Sequence, residues 1–266
     1  MHVKKFSISP LTLCCYAAIT FVLTLAGCGT PGTPAGSGFP SAQGPLVITA
    51  PGGSGLPRDV MHEVGPLETV WRIGKMYQVS PEIIMETNHL SDPSKLAVGQ
   101  KLLIPNARPL RPVIPLYPTK KWTHIVIHHT ATETGSALTI NQIHHNRNFW
   151  NGLGYHFLID NGSVGKINGQ IETGPRWIKQ MDGAHCNANG MNQHGIGISL
   201  VGNFSKTKVE QEQIESLVYL VDTLRKYYKI PMNNIVRHRD VPGKSTECPG
   251  NYFPWELFRQ KLQSRR

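Results

Sequence analysis

Five prolines fall in the fourteen residues from Pro105 to Pro118, spaced three or four apart. Proline fixes its own φ and lacks a backbone donor, so neither a helix interior nor a central strand runs through such a stretch. The stretch reads as an extended, stiff linker over 107–119, and it divides the chain into two folded parts. With 266 residues, 39% hydrophobic and 17% charged, the chain is too apolar for disorder and long enough for one or two core-bearing domains plus connections. Its 26 Gly and 20 Pro exclude a coiled coil.

The amino-terminal segment is read apart from the fold. Lys4 and Lys5 precede an apolar run from Leu11 to Ala26 that ends Leu25-Ala26-Gly27-Cys28. A basic start, an apolar stretch and small residues at a cleavage point make a secretory signal over 1–27. A spanning helix needs about 20 apolar residues, and Ser7, Ser9 and Pro10 stop this run from lengthening. Its last four residues resemble the bacterial lipobox, which implies a lipidated Cys28, a membrane anchor and an exported envelope lipoprotein. Gly29, where inner-membrane retention would use Asp, points to the periplasmic face of the outer membrane in a Gram-negative host. Residues 28–59, which from Gly29 on hold eight Gly and six Pro, read as a flexible tether. Losing the signal lowers the formal net charge from +10 to +8. That charge is dispersed and accompanied by no nucleic-acid motif, so it suits an anionic wall or membrane surface. Only Cys186 and Cys248 remain in the folded part, which allows at most one disulfide and leaves a metal or catalytic role open for either thiol.

Between 60 and 106 the pattern predicts a strand at His62–Val64, a helix with Val70, Ile73 and Tyr77 on one face, a second helix opened by Ser80 and Pro81, and a strand at Lys101–Ile104. Val64, Ile73, Ile83, Leu96, Leu102 and Ile104 form the predicted core. Gly65–Trp71 (GPLETVW), Tyr77–Ser80, Asn88-His89-Leu90 and Leu96–Pro105 together resemble a LysM module, a small βααβ unit that binds N-acetylglucosamine-containing glycans such as peptidoglycan. The resemblance implies glycan contacts at Gly65, Glu68 and Thr69 on one side and Asn88, Leu90 and Leu96 on the other. Read from the residues alone, Leu90 and Leu96 serve equally as core and Asn88 as a helix cap.

In residues 120–266 the pattern predicts strands at Trp122–His128, Tyr155–Ile159, Val164–Ile167 and Gly195–Val201, with a hairpin turn at Asp160-Asn161-Gly162-Ser163. Helices are predicted at Ala137–Asn148 and Lys208–Tyr228, the latter with Thr207 and Glu210 as a capping box and Ile214, Leu217, Val221, Leu224 and Tyr228 as its apolar stripe. Mixed strands and helices imply an α/β domain, a central sheet with helices packed on it. Twelve histidines are many for this length. His238 and Cys248 are joined by a loop rich in Pro and Gly, and imidazole and thiolate are both good zinc ligands. A catalytic zinc needs a third, which His128 or His129 can supply. Neighbouring strand residues point to opposite faces, so only one of the two reaches a shared metal. Two neutral imidazoles and a thiolate would leave such a site with a formal charge of about +1, enough to polarise a carbonyl.

Ile125–Ala131, Gly154–Phe157, Gly183–His185, Gly195–Ile198 and His238–Gly250 occur in the order seen in zinc-dependent N-acetylmuramoyl-L-alanine amidases of the peptidoglycan recognition protein superfamily, which this domain resembles over nearly its whole length. The resemblance implies zinc ligands at His128, His238 and Cys248, one zinc per chain, and a catalytic tyrosine at Tyr155. Thr246 stands where some relatives carry Lys, and His185 matches a position near the substrate groove. Cys186 matches no role. A recognition protein that binds peptidoglycan without cutting it is the alternative; such relatives typically lack the Cys ligand. No His-Glu-x-x-His run occurs. The implied partners are peptidoglycan and, through Cys28, a membrane, with no nucleic acid and a monomeric state.

Overall fold

The computed structural model describes residues 46–49, 55–119, 121–147 and 151–265. The predicted signal, Cys28 and the first part of the tether lie outside the described residues. Along the chain run β1 (Leu46–Thr49), β2 (Arg58–Glu63), α1 (Val70–Tyr77), α2 (Pro81–Thr87), β3 (Lys101–Ala107), β4 (Val113–Leu116), β5 (His124–His129), α3 (Ala137–Asn146), β6 (Phe157–Asn161) and β7 (Asn168–Thr173). Then come the short α4 (Pro175–Ile178) and α5 (Met191–His194), β8 (Gly195–Leu200), α6 (Gln211–Tyr228), β9 (Ile235–Arg237) and α7 (Trp255–Gln263).

The small module is a βααβ unit. β2 and β3 pair antiparallel, and α1 and α2 pack on them around Val64, Val70, Ile73, Ile84, Leu102 and Ile104. Thr69 caps α1 by accepting from the Arg72 amide, and Ser80 caps α2 ahead of Pro81. Ile83, predicted as core, is exposed, and its neighbour Ile84 takes the buried place. The helix phase set by Ser80 turns Ile84 rather than Ile83 inward. Leu96 is only partly buried against this core.

Two segments predicted as tether and linker hold structure. β1 pairs antiparallel with β4, Val47 opposite Pro115. All four β4 residues are buried, Ile114 and Leu116 within the large core. Within the proline-rich stretch, Val113–Leu116 is therefore an extended strand paired along one edge by β1, a place that proline permits because the unpaired edge needs no ladder donor.

The central sheet runs β7-β6-β8-β5-β9. β6, β8, β5 and β9 are parallel to their neighbours, and β7 returns antiparallel at one edge. Alternation sorts the two faces. Ile125, Ile127, Phe157, Ile159, Ile196, Ile198 and Leu200 turn to one side, where α6 and α7 cover them with Leu217, Val221, Leu224 and Phe258, beside Trp177 of α4. His128, Leu158, Gly197 and Ser199 turn to the other side, under α3 and the segment 183–194. The hairpin forms, but its return strand starts at Asn168 rather than Val164; Gly162, Val164 and Gly165 take positive φ and lengthen the turn. α6 starts at Gln211 without the predicted box, because the Thr207 hydroxyl donates to the Asn203 carbonyl instead.

Candidate metal centre

β5 ends in two histidines that part company at once. His129 turns toward the α6 face, where its Nδ1 accepts from the Phe204 amide at 3.1 Å. His128 turns to the other face and lies fully buried. β9 ends at Arg237, and His238 opens a short 3-10 turn immediately after it, beside β5. The loop that follows returns Cys248 to the same place. Its carbonyl accepts from the Arg239 amide at 2.9 Å, and its Sγ accepts from the His129 amide at 3.4 Å. Gly250 makes the return possible: at φ +104°, a Cβ there would meet the Phe204 backbone at 2.2 Å.

One nitrogen of His128, one of His238 and the Cys248 sulfur all lie within 4.8 Å of one another, the only such cluster among the described residues. Cys248 Sγ is 3.6 Å from His128 Nδ1, and the two imidazole centroids are 4.5 Å apart. The buried His238 Nε2 has no hydrogen-bond partner among the described residues. Burial, then the neighbouring His185 and His238, hold His128 well below the usual histidine range. Burial and Lys244 bring His238 down to about 4. Both rings are neutral at physiological pH and present lone pairs. Burial pushes the Cys248 thiol up to about 12 despite the His129 amide and Arg239, so a cation must displace its proton. Two neutral imidazoles and a soft sulfur at this spacing fit a tetrahedral metal with an open position.

Around the cluster, the partly exposed Tyr155 ring lies 5.2 Å from the His128 ring and 5.5 Å from that of His144. Burial, with the neighbouring Cys248 adding, lifts its phenol to about 12, so it keeps its proton and can donate. Thr246 is exposed, and its Oγ1 accepts from the Cys248 amide at 3.2 Å. His185, placed by resemblance near the substrate, is instead buried, with both ring nitrogens engaged: Nδ1 at 3.1 Å from His128 Nε2 and Nε2 at 3.1 Å from the Gly195 carbonyl. Asn192 was not singled out from sequence; its Oδ1 accepts the amides of both His185 and Cys186. Cys186 and Cys248 are both free thiols.

In the small module, the residues predicted as glycan contacts also make contacts within the module. Glu68 Oε2 lies 2.8 Å from His62 Nε2 and accepts from the Gly65 amide at 2.8 Å. Asn88 donates to the Ile84 and Leu103 carbonyls and accepts from the Leu103 amide, each at 2.7 Å. It is a clamp between α2 and β3. Leu90 and Leu96 pack on the module's core. Only Thr69 of the six is exposed.

Residues 118–251 match the N-acetylmuramoyl-L-alanine amidase family, and residues 62–105 match the LysM domain. The chain belongs to the N-acetylmuramoyl-L-alanine amidase family. Peptidoglycan-recognition protein SC2 of Drosophila simulans is 32% identical over 146 residues, which cover 52% of this chain and 72% of that protein. Peptidoglycan-recognition protein SC1a/b of the same species is 29% identical over 156 residues, covering 52% of this chain and 77% of the relative. Among solved structures, the endolysin N-acetylmuramoyl-L-alanine amidase LysCS from Clostridium intestinale is 37% identical, covering 54% of this chain and 84% of its own, with a TM-score of 0.46.

Proposed function

We propose that this family member is an active zinc-dependent amidase. It would hydrolyse the amide between the lactyl group of N-acetylmuramic acid and L-alanine in peptidoglycan, freeing the stem peptide. The observation that carries the reading is the convergence of His128, His238 and Cys248 within 4.8 Å. These residues would hold one zinc ion per chain. Bound there, zinc supplies a Lewis acid for the scissile carbonyl and acidifies the attacking water.

The chain's own groups supply the rest. Cys248 gives up its Sγ proton on metal uptake, which its thiol at about 12 would otherwise keep. Tyr155 keeps its hydroxyl proton and donates to the oxygen on which negative charge develops, an electrostatic role of the oxyanion-hole kind. Thr246 shapes the Cys248 turn through its accepting oxygen, and its own O–H proton remains available to donate. It brings no positive charge where a lysine would, so Tyr155 carries more of the stabilisation. The LysM module raises the local concentration of glycan, and lipidated Cys28 holds a monomeric chain to the periplasmic face of the outer membrane.

The test is zinc content together with stem-peptide release from sacculi, wild type beside Cys248→Ala. About one zinc per chain and release in wild type alone support the reading. Zinc-loaded wild type that binds sacculi and frees nothing replaces it with recognition without cleavage, as the likeness to recognition proteins allows.

A further inference from the structure

We propose that His185 is a positioning residue for the metal centre: by accepting the Nε2 proton of His128, it fixes the tautomer of that ligand and leaves His128 Nδ1 as the lone pair facing the cluster. The proposal rests on the zinc reading above. Its logic starts from the Gly195 carbonyl, which can only accept. His185 Nε2 lies 3.1 Å from that oxygen, so this nitrogen carries the ring's proton. A buried imidazole beside other imidazoles is neutral and has one N–H, so His185 Nδ1 is bare. That bare nitrogen lies 3.1 Å from His128 Nε2, which must then be the donor. His128 is left with its lone pair on Nδ1, the atom 3.6 Å from Cys248 Sγ. A backbone oxygen on β8 therefore dictates, through two rings, which nitrogen of β5 can bind metal.

The relay is held in place on both sides. The His185 amide donates to Asn192 Oδ1 at 2.9 Å, and the same oxygen takes the Cys186 amide at 2.8 Å. The ring occupies space that two glycines leave open: a Cβ on Gly183 or on Gly197 would come within 2.3 Å of His185 Cδ2. The alternation of glycine in Gly195-Ile196-Gly197 thus serves the relay as well as the sheet. Outer partners of this kind orient a ligand and raise its basicity, and removing one typically costs about 10–100-fold in metal affinity.

The experiment measures zinc affinity of the whole protein by competition with a chromogenic chelator, in wild type, His185→Phe and His185→Gln. Phenylalanine keeps a ring without an acceptor, and affinity is expected to fall about 10–100-fold. Glutamine restores an acceptor oxygen and is expected to recover most of that loss. Wild-type affinity in the Phe variant overturns the proposal, as does an equal loss in both variants, which would make the role one of packing. If the Phe variant does not fold, the decision passes to long-range proton–nitrogen correlation spectra of the metal-free wild type. These should show His128 protonated on Nε2; protonation on Nδ1 overturns the relay. A wild type that binds zinc and shows this tautomer but releases no stem peptide sinks the amidase reading and leaves the relay standing.

Discussion

Two buried clusters among the described residues, each with a histidine at its centre, are built on opposite plans. In the small module, His62 sits between the Tyr77 hydroxyl at 3.2 Å and Glu68 Oε2 at 2.8 Å, and Glu68 also takes the Gly65 amide. In the amidase domain, His128 Nδ1, His238 and the Cys248 sulfur face one another, and His238 Nε2 finds no partner among the described residues. Buried polar groups are normally satisfied, and an exception calls for a cause. Where acid meets base the cluster closes and becomes structure; where two neutral imidazoles meet a single thiol, one proton cannot satisfy every lone pair, and the place is left fit for a cation.

The sharpest way to break this comparison is to remove a ligand from the open cluster. His238→Ala should lose zinc and lower stem-peptide release by about 10³-fold or more, with the circular dichroism of the fold unchanged. Retained zinc in that variant would mean that His238 is not a ligand. Tyr155→Phe is expected to separate chemistry from metal binding. Deleting one oxyanion donor typically costs about 10²-fold in turnover, while zinc content should stay at the wild-type level. A parallel fall in zinc would assign the tyrosine to the metal site rather than to the reaction.

The closed cluster should answer to acid and leave zinc alone. Burial raises the Glu68 carboxyl, but the hydrogen bond and charge of His62, with Arg72 and the Gly65 amide, outweigh it and hold the group at about 2. A carboxyl depressed in the folded state stabilises above its unfolded value of 4.5, and the contribution is lost as pH falls from there through about 2. The shift corresponds to stability on the order of 3 kcal/mol. Glu68→Gln should therefore lower the unfolding free energy at neutral pH by up to about this amount and flatten its pH dependence below 4.5. Zinc affinity should not change. Denaturant titrations at several pH values decide the matter, and an unaltered acid slope would show that the pair contributes nothing.

How much of this could be read beforehand follows from how local each signal is. The cluster of His128, His238 and Cys248 was legible through the family resemblance; spacing alone put two candidate ligands in one short loop and left the third to either of two neighbouring histidines at a strand end. The β1–β4 pair was hidden. Leu46–Thr49 lies in a Gly- and Pro-rich stretch, and its partner strand is more than 60 residues further along the chain. The return strand Asn168–Thr173 was misplaced because Gln170, Glu172 and Thr173 are polar yet buried. Their burial is matched largely by groups far away in sequence: the Ala137 amide donates to Glu172 and Arg72 of the small module donates to Thr173, while Lys166 of the preceding turn lies 3.1 Å from Glu172. Binary pattern cannot show a buried polar strand whose partners come from another part of the chain. For His185 the sequence left substrate contact and a structural hydrogen bond equally open, since nothing in Gly183-Ala184-His185 says which way the ring faces.

The smallest expected effect comes from the residue most easily confused with a ligand. His129 adjoins His128 and shares its chemistry, yet its side chain lies on the α6 face with Nδ1 accepting from the Phe204 amide. What His129 gives to the metal cluster is its backbone amide, which donates to Cys248 Sγ and survives any side-chain change other than proline. His129→Gln should therefore change zinc affinity by less than about threefold, since the lost ring is outside the ligand set. It should cost about 1 kcal/mol of stability for the bond to Phe204. The paired variant His128→Gln, one residue away, should lose zinc. Measured side by side by chelator competition, the two variants test whether strand alternation alone separates a ligand from its neighbour; comparable losses in both would mean that it does not.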